Sequence, residues 1–138
     1  MSTAPEPLRV AVRWLLAGFM VAIGVAHFAD PEPFVRIVPP LLPAPYALVL
    51  ISGAFEVLGG LGLLVPATRR FSSLGLIALY VAVFPANVYM ATHGVQPLPD
   101  SPVEPWMAWA RLPFQAVLIA VAWWVGKSEG APVVREAA

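Results

Sequence analysis

Six polar side chains stand nearly alone inside long apolar runs of this chain: His27, Ser52, Glu56, Asn87, Arg111 and Gln115. Ser52 and Glu56 are four residues apart, as are Arg111 and Gln115, so each pair shares a face if the segment is helical. An ionised Glu or Arg at the centre of a bilayer costs roughly 2.5–3.5 kcal/mol on insertion scales, so both are expected to face protein. The least costly arrangement pairs Glu56 with Arg111, each satisfying the other. Glu56 and His27 suit general acid–base chemistry with Arg111 as the charged partner, and these three form the expected catalytic set. Ser52, Asn87 and Gln115 are expected to bind the ligand. Arg111, Asn87 and Gln115 as donors suit a carbonyl-bearing lipid headgroup, and a quinone fits that description.

Other chemistries have less behind them. There is no cysteine, hence no disulfide, thiolate nucleophile or CxxC redox pair. Ser52 has Glu56 at helical spacing but no positioned His, which argues against nucleophilic catalysis. His27, Glu56 and His93 include no ligand pair on one helical face, so no metal site is expected. A bis-His haem through His27 and His93 rests on two histidines alone, a weak signal.

Residues of these types need long apolar elements to hold them, and composition supplies such elements. Of 138 residues, 59% are hydrophobic and 12% charged, with a formal net charge of +0, and the mean hydropathy is +0.79. A soluble domain carries about 25% charge. A soluble globular enzyme, a disordered tail and a nucleic-acid binder are therefore excluded. A span needs roughly 20 apolar residues, and four segments qualify: about 10–29, 46–65, 71–91 and 105–126. The expectation is a single transmembrane domain over residues 1–138, an all-α integral membrane four-helix bundle. Most of the 16 prolines crowd the tails and connections, where a missing N–H costs nothing. Pro85 and Pro113 fall inside spans, beside Asn87 and between Arg111 and Gln115. Their kinks are expected to widen a cavity there.

Arg9, Arg13, Arg69, Arg70, Lys127 and Arg135 fall on the side that holds both termini, against Arg36 alone on the other. By the positive-inside rule both termini are expected to be cytoplasmic. Trp14, Trp123 and Trp124 then sit near the inner interface, with Tyr46, Tyr89, Trp106 and Trp109 near the outer one. An uncleaved first span is expected, because three remaining spans would break the charge pattern. The polar set lies in the outer half, and the inner halves read as nearly pure hydrocarbon. Phe28, Phe55, Phe84 and Phe114 are expected to wall an outward-facing pocket. Small residues spaced by four (Gly18, Ala22 and Ala26; Ala78, Ala82 and Ala86; Ala116 and Ala120), together with Gly59, Gly60 and Gly62, mark expected helix contacts and a route to homo-oligomers.

Several pieces, in order, resemble the DoxX family of small four-span bacterial membrane proteins. They are His27-Phe28 before a Pro-rich connection, Ser52-Gly53-Ala54-Phe55-Glu56, Gly62-Leu63-Leu64-Val65-Pro66 with Arg69, Phe84-Pro85-Ala86-Asn87-Val88-Tyr89-Met90, and Arg111-Leu112-Pro113-Phe114-Gln115. The resemblance implies a four-helix bundle in the bacterial inner membrane. It also implies a redox association, since some relatives belong to thiosulfate:quinone oxidoreductases. It supplies no settled catalytic residues.

Three functional readings stand on these residues. The first is a component of a redox system, a membrane oxidoreductase component among them, that holds a quinone or similar lipid and depends on a redox partner protein. The second is a stand-alone membrane enzyme, an isomerase or hydrolase, using Glu56 and His27 on a lipid. The third is a non-catalytic assembly partner in which the polar set only glues helices together.

Overall fold

The computed structural model describes residues 6–127 and, among them, contains five helices and no strand. Arg135 lies outside the described residues. The helices are α1 (Glu6–Ala29), α2 (Glu32–Arg36), α3 (Pro45–Leu64), α4 (Arg69–His93) and α5 (Pro105–Val125). All but α2 are long and apolar enough to cross a membrane, so the chain is a multi-pass membrane protein of all-α class. Proline opens α3 and α5, at the position where a helix has no use for the N–H. Helix α4 stops at Gly94, whose φ of 61° is left-handed and lets its N–H reach the Met90 carbonyl. Both α4 and α5 continue through their internal prolines, Pro85 and Pro113.

The four spans run up and down, so α2 and the α4–α5 connection lie at one end, called here the α2 end. The described chain ends and the α3–α4 turn lie at the other, the termini end. Burial follows a heptad on the first two spans: Arg13, Ala17, Met20, Gly24 and His27 on α1, and Val49, Gly53, Glu56, Gly60 and Leu63 on α3. Alternating steps of four and three keep one seam facing the partner when helices cross at about +20°. The seams mesh antiparallel. A Cβ placed on Gly24 would stand 2.7 Å from the Gly53 carbonyl oxygen, and one on Gly60 would stand 2.9 Å from that of Ala17. Glycine is required at this crossing because backbone meets backbone.

That register corrects the expected contact faces within the bundle. Gly18, Ala22, Ala78, Ala82, Ala116 and Ala120 are exposed, and a Cβ on Gly18 would meet nothing within 4 Å. Spacing by four alone does not say which way a stripe faces; the heptad does. Gly59, Gly60 and Gly62 do pack, against Leu76, Ala17 and Ser72 in turn.

Helices α3 with α4 and α4 with α5 complete the bundle, and α5 touches α1 sparingly. The apolar core of Leu16, Met20, Leu63, Leu76, Tyr80, Ala122 and Val125 fills the termini end. A second correction belongs there, because that half is not pure hydrocarbon. Arg13, Arg69, Ser72 and Ser73 are buried. Arg13 Nε donates to the Val125 carbonyl at 3.0 Å and Arg69 Nε to that of Leu63 at 3.0 Å. Ser73 Oγ donates to the Ala122 carbonyl at 2.7 Å. The last carbonyls of a helix have no partner within it and carry partial negative charge. Two arginines at the ends of α3 and α5 therefore cap helices, in addition to lying on the basic side of the chain.

Candidate functional site

Geometry brings His27 and Glu56 together from well-separated depths. Gly24 on α1 faces Gly53 on α3, and each polar residue follows its glycine by three positions. In antiparallel helices this leaves the two backbones about 9 Å apart along the bundle axis, six residues at 1.5 Å each. Helical side chains lean toward their own N-terminus. His27 therefore leans toward the termini end and Glu56 toward the α2 end, and they meet over the glycines. His27 Nδ1 lies 3.2 Å from Glu56 Oε2. The same Nδ1 lies 2.7 Å from the Ile23 carbonyl oxygen, which can only accept, so Nδ1 carries the hydrogen and aims it there. Glu56 Oε2 is buried with a close neighbour and no aligned hydrogen-bond donor among the described residues. The imidazole is held from its other side by Phe34 of α2, stacked at 3.8 Å between ring centroids and 20° between planes.

Opposite this pair, Asn87 of α4 and Gln115 of α5 bond directly, Asn87 Nδ2 donating to Gln115 Oε1 at 2.8 Å. Gln115 Nε2 donates in turn to the Tyr80 carbonyl, in the helical turn ahead of Pro85. Tyr80 stands seven residues before Asn87, on the same seam, and its hydroxyl reaches Met20 Sδ at 3.1 Å. Tyr80 belongs to the site, although an aromatic residue within an apolar span does not stand out as a site residue. Its heptad spacing from Asn87 was the available signal.

Arg111 does not pair with Glu56, contrary to expectation. Among the described residues no ion pair joins them, and Arg111 Nη1 instead lies 3.4 Å from Met90 Sδ. Depth explains this. Arg111 is about 9 Å into α5 from its start at Pro105 and Glu56 about 16 Å into α3 from Pro45. Both helices start at the α2 end, so both side chains lean the same way and the difference in depth, about 7 Å, remains between them. On α5 the buried positions Ala108, Gln115 and Ala122 recur by sevens, and Arg111 lies on the exposed flank of that seam.

Between the two pairs lies a cavity of about 520 Å³, and all six residues, His27, Ser52, Glu56, Asn87, Arg111 and Gln115, line it. Apart from Tyr80, its walls are otherwise apolar. Phe55 and Phe114 line it as expected, whereas Phe28 and Phe84 do not; Phe19 and Phe34 take their place. Phe28 is exposed next to inward-facing His27, and Phe84 is exposed on α4. The Pro-rich connection contributes a cover that the sequence had not suggested: Phe34 of α2 and the following Ile37, Val38, Pro39 and Leu42. Tyr46 Oη donates to Glu32 Oε2 at 2.5 Å and fastens α2 to the start of α3. Several wall residues, Phe19, Ile51, Phe55 and Phe114, are about half exposed on the flanks of the bundle. With α2 over one end, the cavity communicates sideways.

His93, the second candidate haem ligand, is exposed and 4.5 Å from the Tyr89 ring centroid. It does not line the cavity with His27. Among the described residues no group of three or more His, Asp or Glu side chains could hold a metal.

A family model described as a domain of unknown function (DUF8561) matches residues 16–126, which takes in all four spans and the whole cavity. No curated protein and no solved structure matches the chain.

Proposed function

We propose that this chain, which belongs to the DUF8561 family, holds a quinone-type or similar isoprenoid lipid between its spans as a DoxX-like component of a redox system. One observation carries the reading: an apolar cavity of about 520 Å³ into which four helices place polar groups, including a buried carboxyl oxygen with no aligned donor. Packed interiors leave few voids larger than a water molecule, and an unsatisfied carboxyl group costs too much to be kept as filler. The volume falls within the range of about 300–1,000 Å³ for small-molecule sites. Sideways communication past Phe19 and Phe55 suits a ligand that arrives through lipid.

The redox association comes from the DoxX resemblance. The chain has no cysteine pair, so electrons enter from a partner protein or a reducing substrate. The bacterial inner membrane, with both termini cytoplasmic, is proposed on the same resemblance and on the basic-residue bias. The 3.2 Å approach of His27 to Glu56 favours a second reading, a membrane enzyme performing acid–base chemistry on a lipid.

The test is binding of a short-chain ubiquinone to the detergent-solubilised protein, read by tryptophan quenching and by native mass spectrometry. Arg111→Met removes a charged group that the fold does not pair with a carboxylate, so the bundle is expected to fold while binding falls at least tenfold. A protein that binds no quinone or co-purifying lipid, or an Arg111→Met variant that simply unfolds, defeats the proposal. Either outcome moves the polar set to helix-to-helix glue, the role that the direct Asn87–Gln115 bond already shows in part.

A further inference from the structure

Two backbone carbonyls decide the polarity of the cavity. The Ile23 carbonyl lies against His27 Nδ1 and can only accept, so the neutral imidazole presents Nε2 as a bare acceptor. The Tyr80 carbonyl likewise takes the Gln115 amide nitrogen. Gln115 Oε1 is thereby turned to Asn87, which must answer with Nδ2. That leaves Asn87 Oδ1 without a hydrogen bond among the described residues. The Glu56 carboxylate is the third acceptor on the wall, although its Oε2 is itself closed off from the cavity. The amide nitrogens that seemed fit to hold a ligand carbonyl are engaged within the protein, each with one hydrogen left. Arg111, toward the α2 end, is the one charged donor on the cavity wall, and the Ser52 hydroxyl, one turn before Glu56, can donate or accept. The deep part of the cavity is acceptor-rich on both sides.

Resting on the reading of the cavity as a quinone-type site, we infer that it selects the hydroxyl-bearing, reduced form of its ligand over the carbonyl form. With Glu56 ionised and His27 neutral, a ring hydroxyl between α1 and α3 donates to the Glu56 carboxylate, which lines the cavity, or to His27 Nε2. A carbonyl oxygen at the same place would meet lone pairs from both. The far end of the ring meets Arg111, which accepts either an oxygen or a hydroxyl by donating to it. The substrate class is therefore a phenol-like or quinol-like lipid, and the discriminating residue is Glu56, with His27 as its neighbour.

The probe is a matched pair, decylubiquinol and decylubiquinone, titrated separately into the detergent-solubilised full chain under argon, with affinity read by tryptophan quenching. A hydrogen bond to a charged group contributes enough for roughly a 10- to 100-fold preference. The quinol is expected to bind tighter by that factor, and Glu56→Leu is expected to abolish the preference. Should Glu56→Leu fail to fold, His27→Phe, which keeps a ring to stack on Phe34, is expected to reduce the preference instead. Equal affinity for the two forms, or tighter quinone binding, overturns the inference and leaves the proposed function standing. Binding of neither form overturns the proposed function itself.

Discussion

Replacing Gly24 or Gly53 with alanine tests the crossing on which the site depends. In an ordinary helix interior the change is favourable by about 1 kcal/mol, because glycine is the weaker helix former. Here the new methyl at Gly24 would stand 2.7 Å from the Gly53 carbonyl oxygen and 2.7 Å from Val57 Cγ2, where ordinary contact begins at 3.4 Å. The difference, 3.4 minus 2.7, means that the helices must part by about 0.7 Å. At Gly53 the methyl would stand 2.7 Å from His27 Cβ and 2.9 Å from the Gly24 carbonyl oxygen. Overpacking of this kind costs about 1–3 kcal/mol. Gly75 and Gly18 are the controls, since a methyl at either meets nothing within 4 Å. The propensity gain cancels between the two classes, so the buried pair should fall below the controls by the overpacking cost alone. At about 4 °C per kcal/mol for a chain of this size, that is about 4–12 °C in Tm. The assay is thermal unfolding in detergent, followed by intrinsic fluorescence of the five tryptophans. Gly24→Ala and Gly53→Ala variants that melt at or above Gly75→Ala would refute the backbone-to-backbone crossing. The meeting of His27 with Glu56 would fall with it.

Two further outcomes are expected. In a double-mutant cycle on the ligand-free protein, Glu56→Gln and Arg111→Met should couple by less than about 0.5 kcal/mol, because no bond joins the two side chains; coupling above about 1 kcal/mol in unfolding experiments would restore the ion pair. For orientation, the chain offers a cysteine-free background, so Asp100→Cys should react with an impermeant maleimide on intact cells and Lys127→Cys only after permeabilisation. Reaction of both on intact cells would overturn the cytoplasmic placement of the termini.

Much of the bundle is legible in the order of residues alone. Four apolar runs of span length, with proline crowding the connections, allow few other solutions, because a backbone in hydrocarbon must satisfy its own hydrogen bonds. The same physics identifies His27, Ser52, Glu56, Asn87, Arg111 and Gln115: a polar group surrounded by apolar neighbours must turn toward protein, and all six line the cavity, Arg111 from the exposed flank of α5. What the sequence left open is which inward-facing groups meet. Glu56 and Arg111 attract each other in any list of charges, but their helices enter from the same end and hold them at different depths. Glu56 lies beside His27 instead because glycine on both α1 and α3 lets those helices touch. Arg13 and Arg69 read as surface charge until the ends of α5 and α3 come down beside them with unbonded carbonyls. The orientation of the Gln115 amide likewise depends on a carbonyl 35 residues away in the chain. Hydrophobicity is a property of each residue and can be summed along the chain. Hydrogen-bond partnership is a property of pairs, and only the register and lean of packed helices assign the pairs.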